Sequence, residues 1–289
     1  MEWLVSKSIS LVLCDATPLS CIAGKTAGAK VILVTNFTWD FCYREMLRTV
    51  IADGRCSPEM LIEYQEMVDQ CSKDTCMCDL YLQYPGKTQL PLGFNGKVVD
   101  GPLIARCPRN HGLRQELGFA SNEKVLLLGF GGHDMAWSFN DNFLPSGWSC
   151  CVLGAKPSQI MPSDRWHALS YDCHVPDLIH MADAVLGKLG YGFVSECLSA
   201  GTALVFVPRI DWPEEHFLEK LLCDEYNAGV RMPIEDFISG NWTRYLDDAS
   251  SLKNAWTVDP AIDSKVAVDK ILSSLSEVMG VSKKPSCEL

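Results

Sequence analysis

A net charge of −11 spread over 289 residues argues against a nucleic-acid-binding protein, because a phosphate backbone selects for clustered Lys and Arg. Apolar residues make up 47% and charged residues 21% of the chain, which is the balance of a folded globular protein rather than of a disordered one. No run approaches the roughly 20 apolar residues of a membrane helix, and the N-terminus has no secretory leader. The sequence therefore predicts a cytoplasmic protein with no transmembrane segment.

The chain contains 14 cysteines, which we expect to be reduced thiols in that compartment. Several, such as Cys14 and Cys197, lie in apolar runs where a thiol acts as a small hydrophobic group. Cys71, Cys76 and Cys78 form the densest cluster, but their spacing is not the paired CxxC of a zinc site and no second pair follows. We therefore predict no metal site.

The first hundred residues alternate between short apolar runs and helical patterns. The segments predicted as strands are Ile9–Cys14, Lys30–Thr35, Asp79–Gln83 and Lys97–Gly101. Those predicted as helices are Pro18–Gly28, Trp39–Ala52 and Pro58–Cys71. Lys30–Thr35 is the clearest strand, since it is β-branched and almost continuously apolar, as buried strands of a parallel sheet are.

The rest of the chain repeats this alternation. The predicted strands are Lys124–Leu128, Trp148–Leu153, Ala184–Leu186 and Leu204–Val207. The predicted helices are Arg109–Leu117, Pro176–Met181, Phe193–Ala200, Glu215–Tyr226, Asn241–Ala249 and Ile262–Val278. Strands that alternate with helices indicate βαβ units and an α/β fold with parallel sheets. Prolines punctuate the pattern near Gly101–Asn110, which predicts a partial N-terminal domain over 1–105 and a full α/β domain over 106–289.

Two glycine-rich loops follow predicted strands, the position at which open parallel sheets bind ligands. Gly131 and Gly132 end the first loop, where backbone N–H groups can approach an anion without an obstructing Cβ. The second loop, Gly187–Gly192, leads into a helix whose first N–H groups favour a phosphate, and Lys188 adds a positive charge. Ser195 and Glu196 follow in the first turns of that helix.

These loops have simpler explanations as well. Tight packing between a strand and a helix also requires glycine, and Glu196 can be a carboxylate that only stabilises the helix N-terminus. Neither loop matches the Walker pattern GxxxxGK[ST] or the dinucleotide pattern GxGxxG with its acid. The residues alone therefore favour a site for phosphate or a nucleotide sugar, which defines a class of ligand but not a reaction.

Other polar residues are placed less specifically. Asp15 ends a predicted strand and is either a helix cap or an acid in a cleft. His174-Val175-Pro176-Asp177 opens a helix, where Asp177 has the position of a capping residue. Asp211–His216 is a polar entry to a helix, which is typical of an ordinary helix start. We find no Ser-His-Asp arrangement, no HExxH and no DxD metal motif.

Several strings together resemble the glycosyltransferase-like region of plant L-arabinokinases and related free-standing proteins. They are Thr35-Asn36-Phe37-Thr38-Trp39-Asp40-Phe41, Leu186–Glu196 (LGKLGYGFVSE), Gly129–Gly132, Leu144–Trp148, Phe206–Arg209 and Glu214–Leu218. Each string is weak alone, but the set is specific. The resemblance extends from about Leu11 to about Leu275.

The resemblance implies a GT-B fold with two Rossmann-like parallel-sheet domains. In that fold the glycine loop and its helix bind the donor diphosphate, which assigns Gly190, Gly192 and Ser195 to it, and Glu196 would bind the ribose. His174 and Val175 would lie beside the base of the donor, with a UDP-sugar as the expected donor class and no required cofactor or metal. Asp15 and Asp40 are the first candidates for the general base, in a cleft between the domains.

The chain also departs from the family pattern. It starts inside the N-terminal domain, so that domain is expected to be incomplete, with an exposed sheet edge that calls for an oligomer or a partner. We find no glycine- and serine-rich ATP loop of a sugar kinase, and arabinose phosphorylation is not expected. The leading hypothesis is a glycosyltransferase-like protein that binds a nucleotide sugar and an unknown acceptor. The alternative is a sensor or regulatory module that binds the nucleotide sugar without turnover.

Overall fold

The computed structural model describes residues 2–131, 140–155, 163–256 and 265–280. The strands are β1 Leu11–Cys14, β2 Lys30–Thr35, β3 Leu80–Gln83, β4 Lys97–Asp100, β5 Lys124–Gly129, β6 Trp148–Leu153, β7 Trp166–Leu169, β8 Ala184–Gly187, β9 Leu204–Phe206 and β10 Gly229–Arg231. The helices are α1 Glu2–Ser6, α2 Pro18–Thr26, α3 Trp39–Ala52, α4 Pro58–Thr75, α5 Leu113–Glu116, α6 Val175–Met181, α7 Tyr191–Ala200, α8 Glu215–Glu219, α9 Ile234–Ser239, α10 Thr243–Ser251 and α11 Lys265–Met279. All strand pairs are parallel, and the predicted α/β class is confirmed.

The first unit contains a four-stranded sheet in the order β1-β2-β3-β4. Its central strands are apolar on both faces, as helices on both sides of a parallel sheet require. On one face, Ile32 and Leu82 are buried against Ile271 and Leu275 of α11. On the other face, the core includes Tyr81. β1 lies at one edge of this sheet.

The second unit contains a six-stranded sheet in the order β10-β9-β8-β5-β6-β7. Strands β6 and β8 are buried along their whole length, and β5 is buried at every residue after the exposed Lys124. One face packs on an aromatic core in which Phe237 stacks on Trp242, with ring centroids 5.5 Å apart. This rigid centre fixes the positions of the loops at the carboxyl ends of the strands.

The two units are not continuous in sequence. The first contains the chain up to Ile104, the segment Asp211–Phe217 with the start of α8, and helix α11. The second contains Ala105–Ile210 and the chain from Leu218 to α10 and beyond. The predicted division into 1–105 and 106–289 assigned the entire C-terminal half to one domain. Tertiary packing places the loop and α11 in the first unit because the apolar face of α11 covers β2 and β3.

Several predicted elements have different limits in the structure. Helix α5 is only Leu113–Glu116, because Asp177 accepts hydrogen bonds from the backbone N–H groups of Arg109 and Asn110 and holds them in a loop. The predicted helix Glu215–Tyr226 is α8 followed by a π-helical turn at Lys220–Glu225. Strands β7 and β10 and helices α1 and α9 were missed. Within the described residues, no helix combines the length and apolar composition needed to cross a bilayer.

Candidate functional site

The sheet of the second unit reverses its direction of growth between β5 and β8. After β5 the chain adds β6 and β7 on one side, then returns to add β8, β9 and β10 on the other. Such a reversal separates the loops at the carboxyl ends of the strands and opens a crevice that binds ligands. Gly129 ends β5, Gly187 ends β8, and the two residues pair in register. Both predicted glycine loops therefore begin at this crevice.

The glycines of these loops serve different purposes. A Cβ on Gly187 would lie 2.3 Å from the carbonyl oxygen of Gly129, so that glycine is required by the packing of the sheet itself. Gly131 has a φ of +67°, a left-handed conformation that favours glycine. A Cβ on Gly190 or Gly192 would meet nothing within 4 Å. Their backbone borders open space, as a phosphate-binding loop requires.

A cavity of about 410 Å³ lies against these loops and the N-terminus of α7. Gly190 is the N-cap residue of α7 and, as a glycine, has no side chain to cap that end of the helix. The first N–H groups of an α-helix have no partner within the helix, and together with the helix dipole they favour an anion. Six of the residues predicted from sequence border the cavity: Gly131, Val175, Lys188, Gly190, Gly192 and Glu196.

Glu196 places a carboxylate at the wall of this cavity. The residue is only 4% exposed, and its Oε1 accepts a hydrogen bond from Nε of Arg106 at 2.6 Å. Arg106 itself is largely exposed and borders the same cavity. A buried carboxylate facing a cavity can accept hydrogen bonds from the hydroxyl groups of a ligand.

Ser195 and Gly132 complete the predicted phosphate loops. Ser195 is buried, and its hydroxyl donates to the carbonyl oxygen of Gly192 at 3.1 Å. That bond lies within helix α7, and Ser195 does not line the cavity among the residues described there. Gly132 lies outside the described residues.

His174 and Val175 form the start of α6. Val175 borders the cavity, whereas His174 is the N-cap residue, with Nδ1 3.2 Å from Oδ1 of Asp177 and out of line for a hydrogen bond. Burial alone would raise the pKa of Asp177, but the N–H groups of Arg109 and Asn110 hold it below its usual value. Asp177 therefore anchors the loop before α5, and it is not among the described residues that line the cavity.

Arg106 and Tyr171 also border the cavity, and sequence analysis did not single them out. Arg106 lies in a segment without regular secondary structure or a periodic pattern, so nothing in the sequence distinguishes it from other surface arginines. The hydroxyl of Tyr171 donates to the carbonyl oxygen of Gly131 and holds that loop. Both contacts join segments that are far apart in sequence.

The two predicted acids lie in the first unit and have different environments. Asp15 is exposed at the carboxyl end of β1. Burial first, and then the charge of Asp15, raises the pKa of the nearby Tyr84 to about 12. Asp15 is accessible to a substrate at this sheet edge.

Asp40, in contrast, is completely buried in the first turn of α3. Its Oδ2 accepts hydrogen bonds from Nη2 of Arg44 at 2.9 Å and from Oγ of Ser72 at 3.0 Å. These contacts tie the start of α3 to the end of α4. The environment of Asp40 is that of a structural ion pair.

The polar loop before α8 also has a structural connection within the first unit. Glu214 is buried, and its two carboxylate oxygens accept hydrogen bonds from Nδ2 of Asn36 and Nε1 of Trp212. Phe217 packs edge-on against Phe41, with ring centroids 5.5 Å apart. The loop is therefore fixed to the end of β2 and the start of α3.

A larger cavity, of about 580 Å³, lies in the first unit between α3 and α4. Its walls are mainly apolar and include Tyr43, Met46, Val50 and Met67. None of the described residues that line it belongs to a glycine-rich loop. Of these two cavities, the one in the second unit combines polar groups with a glycine-rich backbone at the start of a helix.

No family model matches this sequence. The chain is 38% identical over 257 residues to the L-arabinokinase of Arabidopsis thaliana. That alignment covers 88% of this chain but 23% of the relative, so the chain spans less than a quarter of the length of the protein it matches.

Solved structures of glycosyltransferases share the fold. A UDP-glucosyltransferase from Polygonum tinctorium that glucosylates indoxyl matches with a TM-score of 0.63 and 13% identity, over 97% of this chain and 79% of its own. UGT2 of Phytolacca americana, solved with UDP-2-fluoro-glucose and pterostilbene, matches with a TM-score of 0.59 and 10% identity, over 96% and 78%. The calicheamicin glycosyltransferase CalG4 matches with a TM-score of 0.56 and 17% identity, over 96% and 75%.

The predicted resemblance is thus confirmed by an independent match of sequence and by the fold. At these low identities the solved structures establish the fold alone. The chain resembles part of L-arabinokinase over most of its own length, and it has the GT-B fold of glycosyltransferases.

Proposed function

We propose that the cavity of the second unit binds a nucleotide sugar, with a UDP-sugar as the donor, and that the protein is a glycosyltransferase. The observation that supports this proposal is the buried carboxylate of Glu196 at the wall of a cavity that also borders the uncapped N-terminus of α7. A nucleoside diphosphate carries both an anion for the helix end and a diol for the carboxylate.

In this proposal the diphosphate lies against the start of α7. The backbone at Gly190 and Gly192 is open to the cavity, and the helix end offers N–H groups and the positive end of its dipole. The side chain of Lys188 passes close to Gly131, where a Cβ would lie 3.5 Å from its Cε. Dipoles and cations of this kind stabilise a leaving diphosphate, which is why no metal is required in the proposal.

The position of the diphosphate determines where the ribose and the base lie in this proposal. The ribose hydroxyls donate to Glu196, and the base lies towards the start of α6, where Val175 borders the cavity. We keep His174 as a candidate contact to the base, since it precedes Val175 at the N-cap of α6. UGT2 of Phytolacca americana, which shares the fold, was solved with UDP-2-fluoro-glucose.

Calorimetric titration with UDP-, GDP- and ADP-glucose tests the binding proposal. The substitution Glu196→Ala removes a charged hydrogen-bond acceptor, so affinity is expected to fall by about 1.5–3 kcal/mol, or roughly 10- to 150-fold. Glu219→Ala is the matched control, because Glu219 pairs with Arg231 and does not border the cavity. If none of the three nucleotide sugars binds, the proposal is refuted.

Transfer is tested separately with the intact protein, a bound donor and a panel of hydroxyl acceptors. We propose Asp15 as the general base, because it is exposed at the carboxyl end of a strand whereas Asp40 is buried in an ion pair. Asp15→Asn is expected to abolish transfer and to leave donor binding unchanged. Donor binding without hydrolysis or transfer would favour the alternative of a sensor or regulatory module.

We also propose that a second copy or a partner covers the exposed edge of the first sheet. β1 is an edge strand of the first sheet, so its backbone can pair with another strand. Light scattering of the purified protein measures whether a second copy occupies that edge. A monomer at all concentrations would contradict the predicted oligomer.

A further inference from the structure

We infer that Arg106 is a positioning residue that orients Glu196 and thereby makes the site selective for a ribonucleotide over a 2′-deoxyribonucleotide. This inference rests on the proposed function, since it assigns the diol of a ribose as the group that Glu196 recognises. It goes beyond that proposal by adding a residue outside the glycine loop and a specificity. The observation behind it is the hydrogen bond between Arg106 and Glu196, which are 90 residues apart in sequence.

The geometry of the contact is asymmetric. Nε of Arg106 lies 2.6 Å from Oε1 of Glu196, while the side chain of Glu196 is 5% exposed and that of Arg106 is 62% exposed. Among the described residues, Arg106 is the hydrogen-bond donor to this carboxylate. The orientation of the buried carboxylate of Glu196 therefore depends on the exposed side chain of Arg106.

The terminal torsion of a glutamate is broad and roughly two-fold, so an unrestrained carboxylate rotates. A charged hydrogen bond to one oxygen removes most of that freedom. The carboxylate retains further lone pairs that can accept hydrogen bonds from two neighbouring hydroxyl groups. When the carboxylate of Glu196 is held in place, both hydroxyl groups of a diol can donate hydrogen bonds to it. A 2′-deoxyribose can donate from a single hydroxyl group.

The residues that border the cavity also support the inference that Glu196 meets the ribose of the ligand. Arg106 and Glu196 border it together with Gly190 and Gly192, which place the N-terminus of α7 at the same wall. A diphosphate at the helix end therefore has its ribose within the cavity that the pair borders. An alternative role for the exposed guanidinium is direct pairing with the diphosphate, which the experiment below distinguishes.

The test compares calorimetric titrations of UDP and 2′-deoxy-UDP on five proteins: wild type, Arg106→Ala, Arg106→Lys, Glu196→Gln and the double variant Arg106→Ala/Glu196→Gln. Wild type is expected to prefer UDP by about tenfold or more, since the missing hydroxyl leaves an acceptor unpaired. Arg106→Ala is expected to weaken UDP binding by about five- to tenfold, with little change for 2′-deoxy-UDP, so the preference disappears. Arg106→Lys, which retains the charge but not the planar group, is expected to lie between them.

The double variant shows whether Arg106 acts through Glu196. On the Glu196→Gln background, Arg106→Ala is expected to change UDP affinity by less than about twofold, because residues that act as a unit are not additive. Arg231→Ala, an exposed arginine of the same unit that pairs with Glu219, is the matched control and is expected to change neither affinity.

Several results would overturn the inference. Equal losses for UDP and 2′-deoxy-UDP in Arg106→Ala would assign Arg106 to the diphosphate, and a gain of affinity would make it a blocking residue. Additive effects of the two substitutions would show that it does not act through Glu196. If wild type binds no UDP, the proposed function fails; if binding depends on Glu196 but not on Arg106, only this inference fails.

Discussion

Nδ2 of Asn36 donates a hydrogen bond to Oε1 of Glu214 at 2.9 Å, and both residues are buried. Asn36 follows β2 and Glu214 precedes α8, so the contact joins two segments 178 residues apart. Both residues belong to strings on which the resemblance to L-arabinokinases was recognised. Their shared contact gives these strings a physical role in fixing one loop of the first unit.

Asn36→Asp is expected to destabilise the first unit. It replaces a donor by a carboxylate that faces Glu214 in a buried site, which costs about 3 kcal/mol or more of unfolding free energy at pH 7. A proton bound between the two carboxyl groups would relieve their repulsion, so the penalty should shrink as the pH falls towards 5. Urea denaturation at both pH values measures the effect.

The double variant Asn36→Asp/Glu214→Gln is the control for this prediction. It reverses the hydrogen bond, because the glutamine amide can donate to the new carboxylate while its carbonyl oxygen still accepts from Nε1 of Trp212. Stability should return to within about 1 kcal/mol of wild type. A double variant as unstable as the single one would show that the contact is not the cause.

Two glycines of the predicted phosphate loop should respond differently to alanine. Gly187→Ala places a Cβ 2.3 Å from the carbonyl oxygen of Gly129 in the centre of the sheet, and we expect a loss of about 1–3 kcal/mol of unfolding free energy. Gly192→Ala meets no atom within 4 Å and lies in α7, so stability should be unchanged or rise by up to about 1 kcal/mol.

The same two substitutions should affect ligand affinity in the opposite order, with the larger direct loss in Gly192→Ala. Gly192 borders the cavity, so its added methyl group is expected to weaken the binding of UDP-glucose. Denaturation and calorimetry on the same two variants measure both effects. A Gly192→Ala protein that binds the donor like wild type would mean that this glycine serves the helix rather than the ligand.

Asp40→Ala tests the structural role of the ion pair in the first unit. The substitution leaves the guanidinium of Arg44, whose side chain is 13% exposed, without its carboxylate, and we expect a loss of about 3 kcal/mol of unfolding free energy. Asp15→Ala is the matched control, because Asp15 is exposed and its loss should change stability by less than about 0.5 kcal/mol. Equal stability of the two variants would contradict this assignment.

The pair of His111 and His180 should make stability of the second unit depend on pH. Nδ1 of His111 lies 3.0 Å from Nε2 of His180. Burial, and then the charges of His111 and Lys253, lowers the pKa of His180 below its ordinary value. The unfolded chain therefore binds more protons, and this contribution is present above about pH 6.5 and is lost as the pH falls below it.

Chemical denaturation between pH 7.5 and pH 5 measures that slope. His180→Gln is expected to flatten it relative to wild type, whereas His216→Gln, which changes an exposed histidine of α8, should leave it unchanged. The same slope in wild type and in His180→Gln would show that other groups cause the pH dependence.

Elements with a strong local pattern were predicted with their exact limits. β2, β6 and α3 are examples, because a continuous apolar run or a 3.6-residue period is visible within the segment itself. β7 and β10 were missed, since they are short edge strands with mixed burial and no such pattern. The location of the glycine loops after β5 and β8 was predicted for the same local reason.

By itself, the sequence determined the alternation of strands and helices, the parallel sheets and the glycine loops, because each depends on residues that are neighbours in the chain. The tertiary structure decided that the loop of Glu214 belongs to the first unit, that Asp40 is buried in an ion pair, and that Arg106 meets Glu196. Contacts across many residues of sequence depend on the path of the whole chain, and hydrophobic periodicity contains no information about their partners.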